Sequence, residues 1–185
     1  MTVGLHHQSS TTTCDIPMLE FKTSKGTFTV QLFDKQAPIT VENFLKYADD
    51  GFFTGTVFHR VIPGFMIQGG GMTADLKSKS GQRPPIENEA KNGLKNKRGT
   101  LSMARTNDVN SATSQFFVNV ADNEFLDHKP GSFGYAVFAR IASGMEVIDA
   151  IAAIKTGNKG MHQDVPTETV TIESVQRVAE DASEK

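Results

Sequence analysis

Two stretches set polar side chains into apolar runs, and any chemistry would sit there. In Phe58-His59-Arg60-Val61-Ile62-Pro63-Gly64-Phe65-Met66-Ile67-Gln68, one arginine and one glutamine stand among large apolar residues. In Gln115-Phe116-Phe117-Val118-Asn119-Val120, alternation puts Phe116, Val118 and Val120 on one face and Gln115, Phe117 and Asn119 on the other. The purely apolar face belongs in a core. The mixed face fits an apolar pocket carrying a few placed polar groups, which is how ligand sites are lined. Each residue also has an ordinary explanation: Arg60 as a strand arginine snorkelling to water, Gln68 as a satisfied edge amide, and Phe65, Met66 and Phe117 as core. Periodicity alone therefore gives a β-rich domain with an amphipathic groove.

Other chemistries find little support. Gly69-Gly70-Gly71 follows a strand pattern, yet no G-x-G-x-x-G or Walker spacing accompanies it. His6 and His7 lie near the start, His59, His128 and His162 are scattered, and none has zinc-type spacing with acidic partners. Cys14 has no base beside it in the sequence. No cofactor and no metal is expected.

The elements that must position the mixed face can be read from their periods. Leu19, Phe21 and Thr23 alternate with polar residues. After Ser24-Lys25-Gly26, so do Phe28, Val30 and Leu32, which predicts a β-hairpin. Pro38 then opens a helix whose apolar face is Val41, Phe44, Leu45 and Ala48, with Gly51 closing it. A second helix is predicted from the capping box Ser143-Gly144-Met145-Glu146, with Val147, Ile148, Ile151 and Ile154 as its apolar face. Short apolar runs at 57–62, 65–68, 100–104, 116–120, 135–141 and 169–178 bring the total to about eight strands and two helices, a closed barrel or a sandwich. The Lys/Asn/Gly-rich stretch 74–98 reads as a long polar loop. The expected organisation is a flexible N-terminal tail at 1–17, one domain at 18–178 and a C-terminal tail at 179–185.

The 185 residues fit one ordinary domain, and 38 % of them are hydrophobic, enough for a core. With 19 basic and 21 acidic side chains the net charge is −2, which provides no field for nucleic acid or anionic lipid. No apolar run reaches the ~18 residues that cross a bilayer. One cysteine rules out an internal disulfide framework, and the opening seventeen residues lack the basic start and apolar run of a secretory signal. The expected setting is cytoplasmic.

The block Phe58–Gly70 resembles the cyclophilin signature, as do Met103-Ala104-Arg105 and Ser114-Gln115-Phe116-Phe117 downstream. The likeness continues through Glu124-Phe125-Leu126-Asp127, Phe138 and Gly144-Met145, spanning about 18–178. Met161-His162-Gln163-Asp164-Val165-Pro166 is similar to the bacterial cytoplasmic branch. The resemblance implies a mainly β fold, a closed eight-stranded antiparallel β-barrel capped by two α-helices, and peptidyl-prolyl cis-trans isomerase activity. It makes Arg60 the catalytic arginine, Phe65, Met66, Phe117 and Leu126 the proline pocket, and Gln68, Ala104 and Gln115 the neighbouring peptide groove. Arg105 falls where the family binds the substrate backbone with its own main chain. The implied partners are proline-containing peptides and unfolded or folding proteins, the protein acting as a monomer.

Two positions depart from many members. Phe125 stands where tryptophan is frequent, and Tyr135 where a groove histidine is found. Losing the indole N–H removes a donor, so cyclosporin is expected to bind only weakly. Two other classes stay open on the residues alone. One is a proline-peptide binding module or holdase using the same groove without catalysis. The other is a structural domain acting through a basic patch of Lys77, Lys79, Arg83, Lys91, Lys95, Lys97 and Arg98.

Overall fold

The computed structural model describes residues 16–179. Of the expected tails at 1–17 and 179–185, residues 1–15, with His6, His7 and Cys14, and 180–185 lie outside the described residues. At the N-terminal boundary Leu32 N–H already donates to Pro17 O (2.9 Å).

Strands β1 (Met18–Thr23) and β2 (Gly26–Leu32) form the predicted hairpin, with Thr23 paired to Gly26 across the turn. Helix α1 (Pro38–Asp49) follows, then β3 (Phe58–Ile62), β4 (Met66–Gly69), β5 (Thr100–Met103), β6 (Phe116–Asn119) and β7 (Val137–Ser143). Helix α2 (Met145–Ala152) precedes a small hairpin, β8 (Thr156–Lys159) and β9 (His162–Pro166), and β10 (Ile172–Val178) returns to the main sheet. The β8–β9 hairpin is an addition to the sequence reading. Its residues are mostly polar, and Asp164 takes a positive φ of 58° that breaks any alternation.

Eight strands pair antiparallel in the order β10-β1-β2-β7-β5-β6-β4-β3. The sheet is curled but not closed, so the closed barrel overstates it. Its edges β10 and β3 share no ladder. They meet at one end only, through the Val57–Thr171 bridge and the Phe58 N–H to Val170 O bond (3.0 Å). Along the rest of β3 the neighbour is β9, from the small hairpin.

Inside the curl lies a core rich in phenylalanine. Phe21 stacks on Phe28 at 4.8 Å, and Phe116 meets Phe44 edge-on at 5.4 Å. Such pairs add about 0.5–1.5 kcal/mol each beyond their buried area. Helix α1 packs against β10, and α2 against β2.

The helix ends show where local reading succeeds and fails. Pro38 occupies the first helical position, as expected, but α1 has no cap of its own. Glu89, far along the chain, supplies it: Thr40 N–H and Oγ1–H donate to Glu89 Oε1 at 2.6 and 2.7 Å. A carboxylate there satisfies one free amide and faces the positive end of the helix dipole. The capping box expected for α2 does not form. Ser143 is the last residue of β7, paired with Thr29, and the two hydroxyls share a 2.6 Å hydrogen bond. Gly144 takes the N-cap position at φ 88°, where an added Cβ would lie 2.7 Å from Thr27 O, so only glycine lets the backbone turn so close to β2.

The 74–98 segment is tied down rather than loose. Arg83 N–H donates to the Tyr47 hydroxyl (2.7 Å) and Lys79 Nζ to Phe52 O and Thr54 O (both 2.6 Å). Arg83 also pairs with Asp50, and Arg98 forks onto Asp149. These bonds commit three members of the suspected basic patch to the protein itself.

Candidate functional site

Arg60 owes its direction to an irregularity. Simple alternation would put Phe58 and Arg60 on one face of β3. The pairing with β4 slips between them: Phe58 faces Gly69, Arg60 faces Gln68, and His59 is the extra residue. The bulge shifts the phase by one, so Phe58 and Val61 both enter the core while Arg60 emerges on the outer face. Among the described residues no carboxylate forms an ion pair with it.

On that outer face Met66, Phe117 and Leu126 form a second, smaller apolar cluster, with Ile62, Phe65, Ala104 and Tyr135 packed against it. Alternation along β6 separates Phe116 in the core from Phe117 in this cluster, as the sequence indicated. A cavity of about 140 Å³ opens over it, with Arg60, Gln68 and Arg105 at its polar side. An adjoining hollow of about 160 Å³ is lined by Gln115, Thr106, Ser111 and Thr113, and shares Gln68, Ala104 and Arg105 with the first. The two share three residues and adjoin as one groove, with the apolar cluster under one half and hydroxyls and an amide along the other. Larger hollows lie beside β8–β9 and around Lys95–Lys129, but neither gathers a guanidinium and amides over an apolar floor.

Gln68 Nε2–H donates to Gln115 Oε1 (3.0 Å), which fixes both amides at the junction of the two halves. Gly71 makes room for this: a Cβ there would lie 2.4 Å from Gln115 Cγ. The glycine run after β4 thus serves close packing. Phe125 is the one expected site residue outside both cavities. It sits on a 3-10 turn, 68 % exposed, with its ring 5.4 Å from that of Phe65. Tyr135 lines the pocket with its ring edge-on to Phe117 at 5.7 Å.

Beneath the pocket lies a buried amide network that periodicity did not reveal. Asn123 Nδ2–H donates to Phe65 O (2.9 Å) and to Asn119 Oδ1 (2.8 Å). Asn119 Nδ2–H reaches Asn96 Oδ1 (3.2 Å) and Thr100 Oγ1 (3.0 Å), and Ser102 Oγ–H donates to Asn96 Oδ1 (2.6 Å). Asn96 N–H donates to Asp127 Oδ1 (2.7 Å). The network ties Phe65 to the turn carrying Phe125 and Leu126. Asn119 on the mixed face was its only visible sign.

His59 is 6 % exposed, and its Nδ1 has no hydrogen-bond partner. Burial, then the neighbouring His162 and Arg60, push its pKa down to about 4, so it is neutral near pH 7. Among the described residues no group of three or more His, Cys, Asp or Glu is placed to hold a metal ion, and no helix is long and apolar enough to cross a membrane.

A family model described as cyclophilin type peptidyl-prolyl cis-trans isomerase/CLD matches residues 18–177. Peptidyl-prolyl cis-trans isomerase B of Escherichia coli is 55 % identical over 161 residues, covering 85 % of this chain and 98 % of that protein. Peptidyl-prolyl cis-trans isomerase A of Dickeya dadantii is 55 % identical over 152 residues, covering 82 % and 80 %. A crystal structure of a Cryptosporidium parvum cyclophilin type isomerase in the presence of the dipeptide Ala-Pro superposes with TM-score 0.70 at 25 % identity, covering 89 % of this chain and 99 % of that one. With its outer-face groove, its bulge-directed arginine and these relatives, the chain belongs to the cyclophilin-type peptidyl-prolyl cis-trans isomerases.

Proposed function

We propose that this isomerase acts through Arg60, with Phe65, Met66, Phe117 and Leu126 holding the proline ring and Gln68, Ala104, Arg105 and Gln115 holding the flanking peptide. The observation that carries this reading is that Arg60 and the apolar cluster line one cavity of about 140 Å³. That cavity continues into a polar half lined by amides and hydroxyls.

Partial double-bond character gives peptide rotation a barrier of ~18–20 kcal/mol, and an X–Pro bond still takes tens to hundreds of seconds to turn. No bond need break. The catalyst must favour the twisted amide over both planar forms. Twisting localises the lone pair on the prolyl nitrogen and makes it an acceptor, so a guanidinium aimed there gains strength only in the transition state. Such a charge-assisted bond contributes roughly 1.5–3 kcal/mol, whereas a 10⁴-fold acceleration needs about 5.5 kcal/mol. The pocket and the amides must supply the difference by holding the two sides of the bond. Exposed and uncommitted to a carboxylate, Arg60 keeps its donors for substrate.

The same proposal takes proline-containing peptides and folding proteins as substrates. It has the protein work as a monomer. A cytoplasmic setting accords with the single cysteine.

The test is cis–trans exchange in a short X–Pro peptide followed by NMR. Arg60→Ala is expected to lower kcat about 10- to 100-fold in a protein that still folds, as loss of one charge-assisted bond requires. Arg60→Lys should recover little, since a point charge lacks the planar fork. Near-normal turnover in folded Arg60→Ala would overturn the assignment. Peptide binding without acceleration by wild type would point to a binding module.

A further inference from the structure

Arg105 does more than offer its main chain. Its guanidinium carbon lies 4.5 Å from the centre of the Tyr135 ring, over the ring face. Nη2–H donates to Phe133 O (2.8 Å) and Nη1–H to Thr106 O (2.9 Å), so one side chain joins the segment after β5 to the segment before β7. Its Nε is buried with no partner. The guanidinium's position secures the two carbonyls and the stack on Tyr135 together.

Tyr135 lacks the strand pairing that holds Met66 and Phe117. Met66 and Phe117 belong to paired strands, and Leu126 to a hydrogen-bonded turn. Tyr135 stands outside every strand, tied to the turn by its N–H to Leu126 O (3.0 Å). Its ring has Phe117 at its edge on one side and the Arg105 cation on its face. Gly134 beside it cannot carry a side chain, because a Cβ would lie 2.3 Å from His128 N.

We infer that the Arg105 side chain is a positioning residue, stacking on Tyr135 and bracing residues 133–135 so that the Tyr135 wall of the proline pocket is formed before substrate arrives. The inference rests on the groove being the isomerase site. A wall that contacts proline in the planar and twisted states alike contributes uniform binding, so losing it raises KM and leaves kcat nearly unchanged. Arg60 acts in the opposite way, through kcat. General destabilisation would lower the active fraction without changing KM.

The chain has only two tyrosines and no tryptophan, so 3-fluorotyrosine labelling gives two ¹⁹F signals: Tyr135 as reporter and buried Tyr47 as reference. In the full chain, Arg105→Ala should raise KM for an X–Pro peptide about 3- to 10-fold, the scale of a lost cation–π contact, with kcat within about twofold. The Tyr135 signal should move or broaden while that of Tyr47 stays. Arg105→Lys, which folds more safely, should show the same split at smaller size, because it keeps charge but loses the fork. Unchanged KM and an unmoved Tyr135 signal in both variants, with wild type active, would overturn the Arg105 assignment alone. Failure of wild type to accelerate exchange would overturn the groove reading and this inference with it.

Discussion

The two faces of the curled sheet carry apolar residues for opposite ends. Inside, Phe21, Phe28, Phe44, Phe53, Phe116 and Phe138 are fully buried and meet ring to ring. Outside, Met66, Phe117 and Leu126 are almost as buried, yet they stand beneath an open cavity. The inner cluster is held by packing. The outer one is too small to hold itself and is held instead by polar devices: the asparagine network below, the Gln68–Gln115 pair at the side and Arg105 on Tyr135. A binding surface needs apolar residues that stay in place without filling the space above them, and hydrogen bonds achieve what packing cannot.

Adjacent residues on one strand test this contrast most strongly. Phe116→Ala should destabilise the domain by about 3–5 kcal/mol, since it empties the centre of the aromatic core. Phe117→Ala should cost less, about 1–3 kcal/mol, because one side of its ring already faces a cavity, and should raise KM instead. Urea midpoints and exchange NMR on both variants decide the matter. Equal losses of stability would mean that the outer cluster is simply more core.

The bulge between the two faces makes the next largest effect. His59 is neutral in the folded protein, while an unfolded chain binds a proton near pH 6.5. Below that pH the unfolded state holds the extra proton, so stability falls as pH drops from ~6.5 towards about 4, by something on the order of 3 kcal/mol. His59→Gln should flatten the urea midpoint across that window. Asp49 and Asp149 are held below the usual carboxylate value by hydrogen bonds from Arg177 and Arg98. Their contributions are present above ~3.8 and are lost as pH falls through it, so they overlap this window only at its acid end. A midpoint already flat in the wild type would show that His59 is better solvated than its burial indicates.

A smaller effect probes the support beneath the pocket. Asn123→Ala leaves Asn119 Oδ1 without a donor and takes one of two donors from Phe65 O, which keeps Val120 N–H, and should cost about 1–3 kcal/mol. If the network positions Phe65 and Leu126 as well as stabilising them, KM should rise in the protein that remains folded. An unchanged KM would restrict the network to stability.

How much of this could be read beforehand follows from what each feature depends on. Alternation in β6 separated Phe116 from Phe117 because side-chain period is a local property. The pocket residues and the catalytic candidate came from the cyclophilin resemblance carried by the thirteen-residue block around Arg60 and its downstream partners, where periodicity alone gave an amphipathic groove. The direction of Arg60 was hidden, since a bulge is a property of pairing with β4 and leaves no trace in one strand. The same limit explains Glu89, which caps a helix 49 residues away from its own position, and Ser143, whose capping signature yields to a strand partner. It explains too why the open edge at β3 went unread, since β9, which lies beside it, was not predicted.

Phe125 offers the finest test of the outer face, because it is the one expected site residue that lines neither cavity. Its ring leans on Phe65 and is mostly exposed, so its replacement should alter stability by no more than about 0.5 kcal/mol. Phe125→Trp adds an indole N–H at the rim. If the rim meets large ligands that overhang the pocket, cyclosporin should bind about 2- to 10-fold more tightly to the variant, the worth of one net hydrogen bond. Turnover of a short X–Pro peptide should barely change, because the proposed proline pocket lies over Met66 and Phe117, away from the rim. Tight cyclosporin binding by the wild type, or no gain in the variant, would show that the missing indole donor does not set the affinity, and that the cavity below dominates contact with long ligands as well as short ones.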